Sequence, residues 1–518
     1  MNTAEIMIME IMKNRLKTPE DLASVKRKMS KKYKVPCPSN IKLLETYRKM
    51  LENKKIKKTP LIEKLLRTRP VRSLSGIVNI SVLTKPYPCP GKCIYCPTEK
   101  GIPKSYVSGE PAVERAKKLN FDPYLQVKKR IETLEMEGHP TDKIELRIVG
   151  GTWSYYPKKY QEWFIKRCFE SCNNGRTSGF RPTQRFNERA RHRIVGLSIE
   201  TRPDFINLGE IKWLRELGVT MVELGVQSIY DDVLKFNNRG HGVKEISEAT
   251  KLLKNAGFKI LYQMMPNLPG STSTRDLKMF GELSSDFRFK PDLLKIYPCA
   301  LVKGAPLYKL WKNKKYKPYT EKQLINLVKS IKKIIPYYVR IQRITRDIPS
   351  HSIAAGPAKI SNLRQIVSGN CKCIRCREVG ANYDPKEKLY LFRQDYNASG
   401  GKEIFLSFEN KNRSKLYSLL RLRLCNGSYQ LHGAVIRELH TYGQSLEVWH
   451  PSKFGGGRTS PSPQHKGLGR KLIKEAEKIS EKEFGFNKIT VISGIGARDY
   501  YRKLGYRLEN TYMVKKLR

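Results

Sequence analysis

Acidic residues are scarce in this chain. Its 518 residues hold 48 Asp and Glu against 100 Lys and Arg, a formal net charge of +52 at pH 7. An excess of this size calls for a polyanionic partner, because phosphate contacts need cations that no acid has already paired. Long apolar runs are missing too. No stretch approaches the roughly 18 apolar residues of a membrane-spanning helix, so no membrane role is expected. The opening residues MNTAEIMIMEIMKNRLKTPEDL lack a signal-peptide cleavage site and read as an amphipathic helix, which points to the cytoplasm. Internal repeats are absent. Cysteine is dilute, 11 residues, too sparse for a disulfide scaffold, yet six of these fall in two tight clusters of the kind that ligate metal. With 39% hydrophobic residues the chain is globular, and its length suggests roughly two to four domains.

Residues 1–75 are the most basic stretch. Ile41, Leu44, Tyr47 and Leu51 recur at helical spacing and leave the charges on solvated faces. Lys26, Arg27, Lys28, Lys31, Lys32 and Lys34 have almost no acids near them, which favours RNA binding over a merely solvated helical arm. From 76 to 298 the period changes. β-rich runs at 77–85, 144–151, 194–201, 221–228, 259–266 and 293–298 alternate with helical patterns, two of which close on Gly. Six strand-then-helix units imply parallel pairing, right-handed crossovers and a partial (β/α)6 barrel with its site at the C-terminal strand ends. Residues 299–396 show no clear period and read as a connecting module. Beyond Asn397, strands joined by turns around one long helix read as a small α+β domain, 397–518. The expected class is thus α/β, with a helical basic arm in front.

Cys89, Cys93 and Cys96 stand in KPYPCPGKCIYCPTE, just past the first strand. Thiolates spaced C-x3-C-x2-C suit a [4Fe–4S] cluster, holding three irons and leaving the fourth open. Zinc or simple packing are the alternatives, although a zinc site wants a fourth ligand and none lies nearby in sequence. This loop after the first strand of a partial barrel resembles that of the radical S-adenosylmethionine (SAM) enzymes. The resemblance implies that SAM binds the open iron and is cleaved to a 5′-deoxyadenosyl radical, with Gly150 and Gly151 close to SAM at the end of the second strand. Glycine there permits a close backbone approach. Glu200, Arg202 and Gln227, at or near strand ends, are further candidates, ordinary polar rim positions being their alternative.

Gln464, Gly467 and Gly469 form Q-x-x-G-x-G ahead of a long helix, where free N–H groups and the positive dipole end can cradle a pyrophosphate. With a strand ending in ELHTYG before it and ITVISGIGARDYYRKLGY after, the segment resembles the Gcn5-related N-acetyltransferase (GNAT) fold. In that fold a Tyr near the last helix protonates the departing CoA thiolate. Tyr500 and Tyr501 are the candidates, Tyr501 preferred, with core packing as the alternative for either.

A radical-SAM barrel followed by a GNAT domain resembles the family of Elongator catalytic subunits, archaeal type, which modify the wobble uridine of tRNA. The matching segments, among them SVLTKPYPCPGKCIYCP, IELRIVGGTW, RDIPSHSIAAG, QHKGLG and ARDYYRKLGY, cover about residues 75–518. The resemblance implies that acetyl-CoA meets Glu438, Leu439, His440 and Thr441 on a strand, Leu468, Gly469 and Arg470 at the helix start, and Tyr501. Lys143 would reach the acyl-CoA from the barrel. Several relatives have a longer insertion between the first two cluster cysteines, and this chain has a three-residue gap. The implied activity is acetyl-CoA- and SAM-dependent modification of uridine C5 in tRNA, the first step toward carboxymethyluridine. A protein lysine acetyltransferase with a structural cluster, or an RNA-binding scaffold without catalysis, are the rivals.

Cys371, Cys373 and Cys376 form C-x-C-x2-C between the two domains and suggest a structural zinc, with His351 as the nearest plausible fourth ligand. A second iron–sulfur cluster or packing are the alternatives. Neither the oligomeric state nor partner subunits can be read from the residues.

Overall fold

Four N-terminal helices, Thr3–Lys13, Pro19–Tyr33, Asn40–Glu52 and Pro60–Leu66, pack through their apolar faces into a small core that includes Ile8, Leu43, Tyr47 and Leu66. Asn2, Thr18 and Ser39 cap the first three by accepting from backbone N–H groups three residues on. The bundle docks on the barrel where Arg48 donates to the Glu135 carbonyl at 2.7 Å and Arg67 to the Gly138 carbonyl at 2.8 Å. Lys26 donates to Asn40 and Lys32 lies over the Tyr33 ring. Among the described residues neither these two nor Arg27, Lys28, Lys31 and Lys34 pair with an acid. This computed structural model describes residues 2–14, 16–175, 177–380, 383–425, 433–443, 464 and 466–517.

The barrel strands are β1 (Val78–Leu83), β2 (Lys143–Val149), β3 (Arg193–Thr201), β4 (Met221–Gln227), β5 (Lys259–Met264) and β6 (Leu293–Ile296), all parallel and in sequence order. A two-residue strand β7 (Leu301–Val302) pairs elsewhere with β9 (Ile353–Ala355). All six expected strands are present in order, and β8 (Arg340–Ile344) adds a seventh parallel strand beside β6. It lies within the stretch read as a connecting module, whose Leu363, Val367, Cys373 and Ile374 also enter the barrel core. The segment RIQRI escaped notice because its inward-facing positions are Arg and Gln, so no apolar run marks it.

That polarity is general. On β2, Ile144, Leu146 and Ile148 turn outward to the helices and are fully buried, while Lys143, Glu145 and Arg147 turn inward. Asn79 and Ser81 on β1, Gln263 on β5 and Lys295 on β6 follow the same rule. A filled barrel packs branched aliphatic layers inside; here the main aliphatic layer is outside, and the inside is largely charged and open, with one apolar patch of Met221, Leu261 and Leu293.

The second sheet holds seven strands in the order β10-β11-β12-β13-β14-β16-β15. They are β10 (Tyr390–Ala398), β11 (Gly401–Glu409), β12 (Leu416–Cys425), β13 (Gly433–Thr441), β14 (Lys488–Val491), β15 (Arg507–Glu509) and β16 (Tyr512–Lys516). The Asn397–Gly401 stretch, read as a domain start, is the turn of the β10–β11 hairpin, with Ser399 and Gly400 at φ 49° and 74°. Leu472, Ile473 and Ala476 of the helix Leu468–Lys478 pack on the sheet.

The two halves meet across buried charge. Asp292 and Lys254 of the barrel, and Glu403, Arg421, Arg423 and Arg437 of the second sheet, are essentially inaccessible. Arg437 bonds both Asp292 oxygens and Glu403, Arg423 bonds Glu403 at 2.9 Å, and Lys254 lies 3.5 Å from Glu403 and 3.8 Å from Asp292. Beside them Gly494 and Gly496 touch the β3 backbone so closely that a Cβ on Gly494 would stand 2.1 Å from the Val195 carbonyl oxygen. Removing one partner of such a network strands the others, so Asp292→Ala should cost about 3–5 kcal/mol, read as a fall in the thermal midpoint; an unchanged midpoint would show the network to be dispensable. Acid should act likewise. Burial opposes the charge of Glu438, but Lys259 and Arg421 hold its carboxyl down at about 2. Its folded pKa lies below the unfolded value of about 4.3, so its stabilisation is complete above that value and is lost as pH falls toward 2.

Candidate active site

Past β1 the chain crosses the C-terminal strand ends and presents Cys89, Cys93 and Cys96 to a cavity of about 130 Å3, which Gly151, Glu200, Arg202 and Gln227 also line. The structure therefore gathers the three cysteines with four of the five residues expected to bind SAM. Gly150 does not line this cavity. With φ at 137°, a Cβ there would stand 1.9 Å from the Thr84 hydroxyl, so its role is to let β2 end against β1. Arg202 pairs with Asp204 through Nε and Nη2, leaving Nη1 buried without a partner beside Gly91 of the cysteine loop. Gln227, at φ 72°, also keeps its Oε1 buried and unpaired. Orphaned buried groups of this kind need a ligand or water. Together with the three cysteines that line the same cavity they fit a [4Fe–4S] cluster and a zwitterionic amino acid such as the methionyl end of SAM. Glu200 accepts from Tyr106 at 2.9 Å and Gln263 at 3.1 Å and stands 3.6 Å from Lys295.

Arg239 was not expected. Its Nη1 lies 3.4 Å from Cys93 Sγ and its Nη2 donates to the Gly225 carbonyl. Burial works against a Cys93 thiolate, but the charge and hydrogen bond of Arg239, with Tyr95 and Arg202, together outweigh it and bring the thiol below its usual value. The available signal was Gly225 within VELGVQS, because a mid-strand glycine marks a close approach; a Cβ there would stand 2.7 Å from Arg239.

A second cavity, of about 1450 Å3, opens at the opposite, N-terminal strand ends and runs through the barrel to Val149, Glu200, Tyr297 and Arg346. It is larger than the roughly 300–1,000 Å3 of an ordinary ligand pocket. Every residue expected to meet acetyl-CoA lines it: Lys143, Glu438, Leu439, His440, Thr441, Gln464, Gly467, Leu468, Gly469, Arg470, Tyr500 and Tyr501. β13 pairs with β14 only through Ala434–Ile436, so the backbone from Glu438 to Thr441 is left free on that side. Gly467, at φ 79°, opens the helix Leu468–Lys478. Lys143 donates to Gln464 at 2.9 Å across the domain boundary, and His440 bonds the Ser75 carbonyl at 2.8 Å. Tyr501 is 6% exposed with its ring in the sheet core, and burial keeps its phenol protonated; Tyr500 is 42% exposed with its hydroxyl against Gly469.

The Cys371, Cys373 and Cys376 sulfurs lie within 4.8 Å of one another. His351 is not part of that group, which corrects the expectation for the fourth ligand: it sits on a 3-10 turn before β9, away from the cysteine-bearing turn at Ile374–Arg377. Among the described residues no helix is long and apolar enough to cross a membrane.

Fold and site thus define a radical-SAM barrel joined to an acetyltransferase domain, and sequence comparison agrees. The Radical SAM superfamily pattern matches residues 87–277, its C-terminal domain 291–372, and the acetyltransferase (GNAT) domain 451–516. A tRNA uridine(34) acetyltransferase of Methanocaldococcus infernus is 45% identical over 503 residues, 93% of this chain and 92% of the relative. Elongator complex protein 3 of Bos taurus is 38% identical over 534 residues, 96% of this chain and 93% of the relative. A solved structure of the archaeal M. infernus Elp3, with residues 1–46 deleted, superposes with a TM-score of 0.75 at 42% identity, covering 86% of this chain and all of that one. The chain belongs to the Elongator complex protein 3 family.

The crowding at Gly150 can be tested directly. Gly150→Ala combines a left-handed backbone with overlap at Thr84 and should destabilise the barrel by about 1–3 kcal/mol, measured by thermal unfolding; a variant as stable as the parent would mean that the strand end adjusts freely.

Proposed function

We propose that this protein is a tRNA wobble-uridine acetyltransferase, or carboxymethyluridine synthase, which uses acetyl-CoA and SAM to attach a two-carbon unit at C5 of uridine 34. The observation that carries this reading is the placement of a cluster-type cysteine loop and an acetyl-CoA-type pocket at the two ends of one barrel. C5 of uracil is an unactivated vinylic carbon, which ordinary acyl transfer does not modify. Cys89, Cys93 and Cys96 would hold a [4Fe–4S] cluster that, once reduced by an external one-electron donor, would cleave SAM to methionine and a 5′-deoxyadenosyl radical able to take hydrogen from the acetyl methyl group. Gly151, Glu200, Arg202 and Gln227 hold SAM.

In the second cavity the first N–H groups of the helix Leu468–Lys478 receive the CoA pyrophosphate. The free edge of β13 from Glu438 to Thr441 receives the pantetheine amides, and Lys143 and Gln464 close the barrel side. Tyr501, kept protonated, gives its proton to the departing thiolate. The basic helices of residues 1–75 hold the tRNA, whose binding should weaken steeply with salt. The barrel does the SAM chemistry, with β8 of the stretch 299–396 as part of its sheet, and the second sheet from β10 onward carries the acetyl-CoA site; a tRNA substrate fits work in the cytoplasm. A structural zinc on Cys371, Cys373 and Cys376 anchors the connecting module.

The test is anaerobic reconstitution followed by incubation with dithionite as reductant, tRNA, SAM and acetyl-labelled CoA thioester, with nucleoside mass spectrometry. Label should appear on the wobble uridine. Acetylated peptide lysines with unlabelled uridine would overturn the proposal. Tyr501→Phe should lower tRNA-stimulated acetyl-CoA hydrolysis by about 100-fold, and unchanged hydrolysis would remove Tyr501 from the site. Replacing Cys371, Cys373 and Cys376 by Ser should abolish zinc content while leaving reconstituted iron intact; zinc retained in that variant would place the metal elsewhere.

A further inference from the structure

The two reactive centres implied by this function lie at opposite ends of the barrel. Six residue steps along β2 separate Lys143, at the acetyl-CoA end, from Val149, beside the cysteine loop, a distance of about 20 Å. The acetyl unit has to cross it. Three features bear on how.

The barrel interior is not packed. Glu145, Arg147, Ser198, Gln263 and Lys295 point into it, beside a small apolar patch of Met221, Leu261 and Leu293. Ser198 Oγ and Gln342 Oε1, both in the wall of the larger cavity, are buried without partners. Most of the inward charges pair with one another, Glu145 with Arg147 and Lys295 with Glu200 and Glu223, so a polar lining that keeps two open hydrogen-bonding atoms beside an unfilled space suits a transient polar guest or water.

The two cavities also adjoin. Glu200, Gln263, Tyr297, Thr345 and Arg346 line both. At the lower end, the free edge of β13 opens directly onto the strand starts, where Lys259 meets Glu438 at 3.3 Å.

Finally, the wall has a gap. Gly196, opposite Glu145 on the inward face of β3, has an ordinary backbone conformation, and a Cβ there would meet nothing closer than Glu145 Cγ at 3.5 Å. Neither torsion nor crowding requires glycine at this position. Its lack of a side chain keeps the space above it clear.

Resting on the function proposed above, we infer that the barrel interior is a passage for the two-carbon acyl unit, entered past Lys143 and Glu438 and left beside the hydrogen-bonded pair Glu200–Gln263, where Tyr297, Thr345 and Arg346 also line both cavities, and that Gly196 keeps it open. The cargo is an acyl oxygen with its methyl group, either still a thioester on the pantetheine arm or free acetate. The polar wall offers hydrogen bonds along the way, and the enclosure keeps the unit from escaping to solvent between the two steps.

Gly196→Cys tests the passage on the protein without cluster or SAM. Bromoacetyl-CoA should alkylate the introduced thiol, the thiolate displacing bromide, and excess acetyl-CoA should protect it; peptide mass spectrometry separates this site from the native cysteines. Bromoacetate run in parallel distinguishes the sources, since labelling by the CoA ester alone means that the thioester itself travels, whereas equal labelling by bromoacetate means that free acetate can. No labelling by either reagent would overturn the passage. Gly196→Leu should fill it. SAM cleavage and acetyl-CoA hydrolysis should persist, while transfer of label to uridine falls by about tenfold or more. Undiminished transfer in this variant would also overturn the passage. A parent enzyme that labels no uridine would instead defeat the function proposed above.

Discussion

The buried ionic network between barrel and acetyltransferase sheet sets the geometry of everything else. Asp292 and Lys254 come from one half, and Glu403, Arg421, Arg423 and Arg437 from the other, and none can exchange its partner for water. A hydrophobic contact tolerates sliding, but an Arg bound to both oxygens of Asp292 has one geometry. The network therefore fixes β13 under the strand starts, so that its free edge faces the barrel interior. Gly494 and Gly496, pressed on the backbone of β3, remove the slack that any side chain would introduce.

With that alignment fixed, the unusual distribution of polarity in the barrel acquires a purpose. Aliphatic residues on the outward faces hold the helices, so stability resides in the outer layer and the interior is free for chemistry. The C-terminal ends carry thiols, a guanidinium beside Cys93 and unpaired polar atoms. The N-terminal ends carry Lys143 and Arg193, which form no salt bridge with an acid among the described residues and suit a polyanionic cofactor. Each end matches one half of a two-part reaction, and neither half alone would modify an unactivated carbon.

Much of this was legible in the residues. β1 to β6 announced themselves because their outward faces are aliphatic, and the cysteine loop and Q-x-x-G-x-G because spacing alone restricts their chemistry. β8 stayed hidden because its inward positions are Arg and Gln, and β10 because it is an edge strand of alternating exposure that runs into the Asn397–Gly401 turn. Arg239 belongs to no motif; only the glycine that admits it, Gly225, left a trace. His351 was drawn to the second cysteine cluster by nearness in sequence, which the fold does not reproduce. The ionic network was invisible because Asp292 and Arg437 are far apart in the chain, and each looks like an ordinary surface charge until the halves meet.

The central claim is that chemistry started at one end of the barrel reaches the acetyl group bound at the other. Acetyl-CoA carrying a fully deuterated methyl group tests it most directly, with 5′-deoxyadenosine analysed by mass spectrometry after turnover in the presence of tRNA. The account predicts deuterium in the 5′-deoxyadenosine, transferred from the acetyl methyl group. Deoxyadenosine formed during uridine modification but free of deuterium would contradict it.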